Sequence, residues 1–305
     1  MPGKLGQAGG PRLEGLCENA GPGRGAAKAG IRIGRGGSGI TRFAARLVGQ
    51  AFSPHRHDTY AIGLTVSGVH TFSYRGERRH CPAGQCHILH PDETHAGGAG
   101  TEHGFSYRIL HIDPCLVQHA LGGKPLPFIA DPVIRLSARH ASLIRSIWTA
   151  GDPLDEVARV AIAVGIADML QALAMPGRAA EPPLPLASLA RVRDMILENP
   201  AVRLSSEKLE GISGLDRWTL ARQFRSAFGT SPSGLRTMRQ LGQVRSLVAR
   251  GSGLADAALT AGFADQSHMS RQFKRAYGLT PATWAGLLRA SGLVAAPASR
   301  FTALA

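Results

Sequence analysis

Two sets of side chains in this 305-residue chain have types and spacings suited to chemistry. Eleven of the twelve histidines lie before residue 141. His55 and His57 are two apart, and on a strand such residues face the same side. Neutral imidazoles so placed are ligand types for zinc or another first-row divalent metal. The region also offers a milder chemistry, with His55, His57, Tyr60 and His95 as hydrogen-bonding groups in an otherwise apolar ligand pocket. A purely structural reading stands beside both, in which these histidines cap strands and satisfy loop carbonyls. The second set is largely cationic and lies in the C-terminal third. It comprises Arg217, Trp218, Ala221, Arg222 and Arg225, then Gln266, Ser267, His268, Ser270, Arg271, Lys274 and Arg275. Arg, Gln and Ser are the types that hold phosphates and read base edges in the major groove.

The second set is positioned by a stretch used twice. Residues 220–232 and 269–281 match at an offset of 49, with Arg, Gln, Phe, Ala, Gly and Pro repeated at 222/271, 223/272, 224/273, 227/276, 229/278 and 232/281. Leu220, Phe224 and Phe228 form one apolar helical stripe, and Met269, Phe273 and Tyr277 repeat it. Gly229 and Gly278 fall where a helix ends with φ > 0, and Pro232 and Pro281 prevent its continuation. Asp216 and Asp265 are plausible N-caps. Each copy follows a short apolar segment and a Gly-containing turn, which is the helix-turn-helix pattern. A basic amphipathic helix alone is as often a solvated surface as a DNA reader; two matching copies make the bland reading weak.

The run 257–275, Ala-Ala-Leu-Thr-Ala-Gly-Phe-Ala-Asp-Gln-Ser-His-Met-Ser-Arg-Gln-Phe-Lys-Arg, closing at Thr280-Pro281, is highly specific. With it, residues 186–290 resemble the DNA-binding domain of the AraC/XylS family of bacterial transcription regulators. The resemblance implies seven helices, two helix-turn-helix units, and a bridging helix over about 233–249 with Leu235, Met238, Leu241, Val244 and Val248 inward. It also implies base contacts from Trp218, Ala221 and Arg222, and from Gln266, Ser267, Ser270 and Arg271. The chain departs from the pattern at Glu210, usually a small residue, and at Asp216, often Ser; Ala221 is short for a base reader.

Between 40 and 114 the pattern changes to short strands with Gly and Pro breaks, at 41–48, 60–67, 68–75, 77–81, 86–89 and 106–112, which suggests a small barrel. His55-Arg56-His57-Asp58-Thr59-Tyr60, Pro82-Ala83-Gly84 and His90-Pro91-Asp92-Glu93-Thr94-His95 resemble the cupin-type sensor domain of the same regulators. Gly76-x5-Pro82-x-Gly84-x2-His87 is also similar to the second motif of metal-binding cupins, and that resemblance implies His55, His57 and His87 as three neutral-imidazole ligands for zinc or another first-row divalent metal. The acidic ligand that follows the first pair in those cupins is replaced by Ala61 and Ile62, and the closing Asn by Pro91.

The remaining features bound the assignment. Across 186–290 there are fifteen Lys and Arg against seven Asp and Glu, so more than half of the net +14 lies in the repeat region, as a polyanion partner requires. Cys17, Cys81, Cys86 and Cys115 fit neither a zinc ribbon nor a disulfide frame, so reduced thiols are expected. Nothing resembles a signal peptide or a membrane span. The expected organisation is α+β with two domains: a disordered Gly-rich tail (1–40), a cupin-like β-barrel with following helices (41–175), a Pro-rich linker (176–185), the all-α double helix-turn-helix domain (186–290) and a tail (291–305). Helices are expected over 137–150 and 153–175, the second apolar enough to be core or a dimer seam. The expected function is that of a cytoplasmic, non-enzymatic regulator that binds double-stranded DNA and a small-molecule effector. RNA polymerase and a second copy are expected partners; no cofactor is expected, a divalent metal in the barrel being the one candidate. The alternative is a metal-dependent cupin enzyme fused to a DNA-binding module.

Overall fold

The computed structural model describes residues 30–150, 153–174 and 183–290, with side chains described for 38–49, 53–150, 153–174 and 183–286. The expected linker falls mostly, and the tail at 291–305 wholly, outside the described residues.

Among the described residues, ten strands make two facing sheets. They are β1 (Gly30–Gly37), β2 (Ile40–Leu47), β3 (Gln50–His55), β4 (Tyr60–Ser67), β5 (Val69–Tyr74), β6 (Glu77–Pro82), β7 (Gln85–Leu89), β8 (His95–Ala99), β9 (Phe105–Ile112) and β10 (Val133–Arg135). The six-stranded sheet runs β1-β2-β9-β4-β7-β10 and the four-stranded sheet β3-β8-β5-β6. The barrel thus takes the form of a cupin-like sandwich rather than a closed cylinder. The tail expected over 1–40 is corrected at its end: residues 30–37 form β1, antiparallel to β2. A backbone ladder needs no apolar side chains, so a Gly-rich edge strand escapes pattern reading. The rest of that tail, 1–29, lies outside the described residues.

Strand alternation divides the large sheet between two cores. Phe43, Ala45, Leu47, Ala61, Leu89, Phe105, Tyr107 and Ile109 face the small sheet with Phe72 and Tyr74. Ile40, Tyr60, Ile62, Cys86, Ile88, Leu110 and Ile112 face the helices on the other side. Those helices are α1 (Pro114–Leu121), α2 (Ala138–Thr149) and α3 (Glu156–Leu173). In α3, Ile162, Ile166 and Leu170 are buried, whereas Val157, Val160 and Val164 form an exposed row. The apolarity of α3 therefore serves the core on one face and remains uncovered on the other.

Among the described residues seven helices follow, as the resemblance implied: α4 (Leu186–Glu198), α5 (Ser206–Ser213), α6 (Arg217–Phe228), α7 (Pro232–Ala249), α8 (Leu254–Thr260), α9 (Gln266–Tyr277) and α10 (Pro281–Ala290). They form two cores. Leu189, Val192, Ile196, Leu220, Phe224 and Phe228 make the first, joined by Leu235 from the start of α7. Met238, Leu241, Val244 and Val248 of the same helix enter the second, with Met269, Phe273, Tyr277 and Trp284. Helix α7 is thus the rigid strut between the two helix-turn-helix units. Truncating a fully buried phenylalanine such as Phe224 or Phe273 costs about 3–5 kcal/mol. No helix among the described residues is long and apolar enough to cross a membrane.

Candidate functional site

The candidate nucleic-acid face is built by the repeated helices. Asp216 caps α6 by accepting from the N–H groups of Trp218 and Thr219, both at 3.0 Å. Asp265 caps α9 through the His268 N–H at 2.6 Å. Gly229 (φ 75°) and Gly278 (φ 72°) end the two helices in the left-handed region. Arg217, Trp218, Arg222 and Arg225 are exposed on α6, and Gln266, Ser267, Arg271, Lys274 and Arg275 on α9; Ala221, Ser270 and His268 are half-buried. The Arg217 guanidinium lies over the Trp218 ring at 4.9 Å. His268 meets Phe263 edge-on at 5.5 Å. The departure at Glu210 has a local role: its Oε1 accepts the Arg217 N–H at 2.8 Å and joins α5 to α6 across the turn.

The other ends of both helices are held by the first domain. A helix leaves its last four carbonyls without partners. Here the Ala276 carbonyl accepts the Arg56 N–H at 3.0 Å, and the Ser226 carbonyl accepts the Leu126 N–H at 2.7 Å. The Ala227 carbonyl accepts weakly from Gln118 at 3.5 Å. Asp92, itself left-handed (φ 62°), pairs with Arg56 at 2.9 Å and accepts from the Thr230 hydroxyl at 2.9 Å. A Cβ on Gly229 would lie 2.6 Å from Pro91, and one on Gly278 would lie 3.2 Å from Ser53. Each Gly therefore ends its helix and also admits the sensor domain to close range.

Between these contacts lies a cavity of about 560 Å³. One wall belongs to the sandwich and includes Phe43, Phe72, Tyr107 and six histidines (His55, His57, His70, His87, His95 and His111). The other belongs to α7, through Met238, Arg239, Gly242, Gln243, Arg245 and Ser246, with Tyr277 from α9. Burial holds His70 down to about 3, with His95 adding to the effect. His57, His87 and His95 are also held well below the usual imidazole range, chiefly by burial and then by neighbouring imidazoles. They are neutral at pH 7. Neither ring nitrogen of His70 or His87 has a hydrogen-bond partner among the described residues, and the His87 ring lies directly on Gly63.

Two expectations are corrected here. Tyr60 does not line the cavity: parity on β4 turns it toward the helices, where its hydroxyl donates to the Pro127 carbonyl at 3.3 Å. His87 does not join His55 and His57. It lies on the large sheet against His70, with ring centres 4.8 Å apart. His95 takes its place, because β3 and β8 pair with His55 directly opposite His95. One ring nitrogen from each of His55, His57 and His95 lies within 4.8 Å of the others. His70 and His111 were missed in the sequence, where only the inward parity of β5 and β9 marks them.

A two-sheet domain, a duplicated helix-turn-helix domain and a shared cavity define a ligand-linked DNA-binding protein. Residues 37–162 match the AraC-like ligand binding domain and residues 211–286 match a helix-turn-helix domain. The chain belongs to the AraC family of transcription regulators. It is 24% identical over 225 residues to YbfI of Bacillus subtilis, an uncharacterised HTH-type transcriptional regulator, covering 72% of this chain and 82% of that one. It is 36% identical over 108 residues to the HTH-type transcriptional regulator RipA of Corynebacterium glutamicum, covering 35% of this chain and 33% of that one. Its fold is similar to that of ToxT from Vibrio cholerae, with a TM-score of 0.56 at 11% identity over 83% of this chain and 99% of that one.

Proposed function

We propose that this regulator binds its effector in the cavity between the two domains, and that occupancy sets how α6 and α9 are presented to DNA. The observation that carries this reading is the composition of the cavity walls: one is the sandwich, the other is the strut joining both helix-turn-helix units. A ligand shifts such an equilibrium only by binding one arrangement more tightly than the other. A molecule spanning both walls meets that condition. Vibrio cholerae ToxT has been crystallised with an unsaturated fatty acid bound. The imidazoles here favour an effector with more polar groups, anchored by His70 and His87 between the aromatic faces of Phe72 and Tyr107. On DNA, Arg217, Arg222, Arg225 and Lys274 hold phosphates, with Trp218, Ala221 and His268 at the groove, while Gln266, Ser267, Ser270 and Arg271 read bases. The exposed row Val157, Val160 and Val164 supports the expected homodimer.

The test uses fluorescence anisotropy on the promoter beside the protein's own gene. Binding weakens steeply with salt. Arg271→Ala costs about 1–3 kcal/mol and relaxes specificity at one base pair. Gly242→Leu, whose side chain enters open space in the cavity, abolishes the response to effector and preserves basal DNA affinity. Wild-type affinity and specificity in Arg271→Ala would remove that residue from the interface. A full effector response in Gly242→Leu would place the effector elsewhere.

A further inference from the structure

We propose that His55, His57 and His95 form a binding site for a divalent first-row transition metal, with an open coordination position toward the cavity. We further infer that this site ties together the two sensor segments that hold the recognition helices. The metal half stands on the geometry alone, and the coupling half rests on the DNA-binding reading above.

The geometry begins with the tautomers. The Nδ1 of His55 lies 2.7 Å from the Ser53 carbonyl, that of His57 3.0 Å from the Thr59 carbonyl, and that of His95 3.0 Å from the Glu93 carbonyl. A carbonyl only accepts, so each Nδ1 carries the proton and each lone pair sits on Nε2. A backbone carbonyl on one ring nitrogen orients the other as a ligand and raises its basicity, the usual outer-shell arrangement of a metal-bound histidine. The same arrangement occurs three times, in rings whose centres are 4.3 Å (His55–His95), 4.8 Å (His57–His95) and 6.2 Å (His55–His57) apart. Tetrahedral ligation at about 2.0–2.1 Å puts the nitrogens about 3.4 Å apart, so ring rotations closing about 1.4 Å from the 4.8 Å limit complete the site. Three neutral imidazoles and no carboxylate suit a zinc-like or cobalt-like ion rather than a hard oxygen-seeking one. All three residues line the cavity, so a fourth ligand approaches from that side.

The coupling follows from chain connectivity. His55 ends the segment whose Ser53 packs on Gly278 and whose next N–H, from Arg56, is bonded to Ala276 of α9. His95 follows the loop whose Pro91 packs on Gly229 and whose Asp92 binds Thr230, at the end of α6. His57 joins the two, because its carbonyl accepts the Asp92 N–H at 2.7 Å. An ion bound to all three stiffens both contacts at once, and by reciprocity DNA binding changes metal affinity equally.

The test uses the untagged full chain, stripped with chelator and then titrated with Co²⁺ or Zn²⁺. The expected result is one equivalent bound, tetrahedral d–d bands with Co²⁺, and a raised Tm. His57→Gln and His95→Gln lose all three signals, while their far-UV circular dichroism stays native. His87→Phe, outside the cluster, keeps them. Absence of a stoichiometric metal in the wild type, or wild-type metal binding in both Gln variants, overturns the site. In the same samples, Zn²⁺ changes wild-type affinity for the promoter duplex by at least about fivefold and leaves His57→Gln unchanged. Stoichiometric metal with unaltered DNA affinity overturns the coupling alone. Loss of DNA binding in every metal state overturns the coupling and the proposed function together, while the cobalt bands still decide the site.

Discussion

Acidification should unfold this protein through histidines held neutral in its interior. His70 titrates near 3 because burial removes its charged form from water, with His95 adding to the effect. His90 titrates near 4, through burial first and then the neighbouring Arg75. The His90 Nε2 accepts the Ile129 N–H at 3.1 Å, a bond that a protonated ring cannot keep. Both rings return to their ordinary value of 6.5 when the chain unfolds. Above about pH 7 neither state binds the proton and stability is flat. Below 6.5 the unfolded chain binds protons that the native state refuses, so stability falls with pH at about 1.4 kcal/mol per unit for each ring. At about pH 4.5 the loss is about 2–3 kcal/mol per ring, and about 5 kcal/mol for the two together. Such a loss is comparable with the whole stability of a typical domain, about 5–15 kcal/mol. Urea melts in chelator from about pH 7.5 to 4.5 measure the effect, and His70→Phe removes one proton from the slope. A stability that is level across that range, or an unchanged slope in His70→Phe, refutes the reasoning.

Two further outcomes follow from single contacts. Gly63→Ala places a Cβ 2.1 Å from the His87 ring and must displace it from the cavity. The variant should lose about 1–3 kcal/mol in urea melts and respond weakly to effector, with unchanged basal DNA affinity. Val160→Glu places a charge in the exposed valine row of α3. Sedimentation should then show the monomer, at wild-type Tm.

Much of the second domain was legible because its signals are local. The stripe of Leu220, Phe224 and Phe228, the caps Asp216 and Gly229, and their repeats fix helix ends and faces within a few residues of each other. The inward positions of α7 that the resemblance implies, Leu235, Met238, Leu241, Val244 and Val248, are buried. The first domain was harder because its site depends on pairing at long range. That His95, not His87, stands opposite His55 is a matter of β3–β8 register, which no local pattern states. Tyr60 was misplaced by one step of parity, and a one-residue step moves a side chain to the other face. Strand β1 is hard to read locally because its alternation is confined to Ile31-Arg32-Ile33 among glycines, and its hydrogen bonds come from β2.

The Gly shared by both repeats answers to two constraints that a substitution can separate. Asn adopts φ > 0 more readily than other side chains, so it tests contact with the sensor domain more than backbone conformation. At Gly229 the new Cβ meets Pro91 at 2.6 Å, where a rigid ring has nowhere to turn. At Gly278 it meets Ser53 at 3.2 Å, which a shift of a few tenths of an ångström relieves. Gly229→Asn should therefore cost about 1–3 kcal/mol, the usual price of overpacking, and Gly278→Asn clearly less. If the domain contact acts only on the helix beside it, Gly229→Asn also changes DNA contacts made by α6 while the footprint of α9 stays intact. Equal and small losses at both positions would mean that Pro91 does not press on α6 in solution. The sensor domain would then hold the two recognition helices through hydrogen bonds alone.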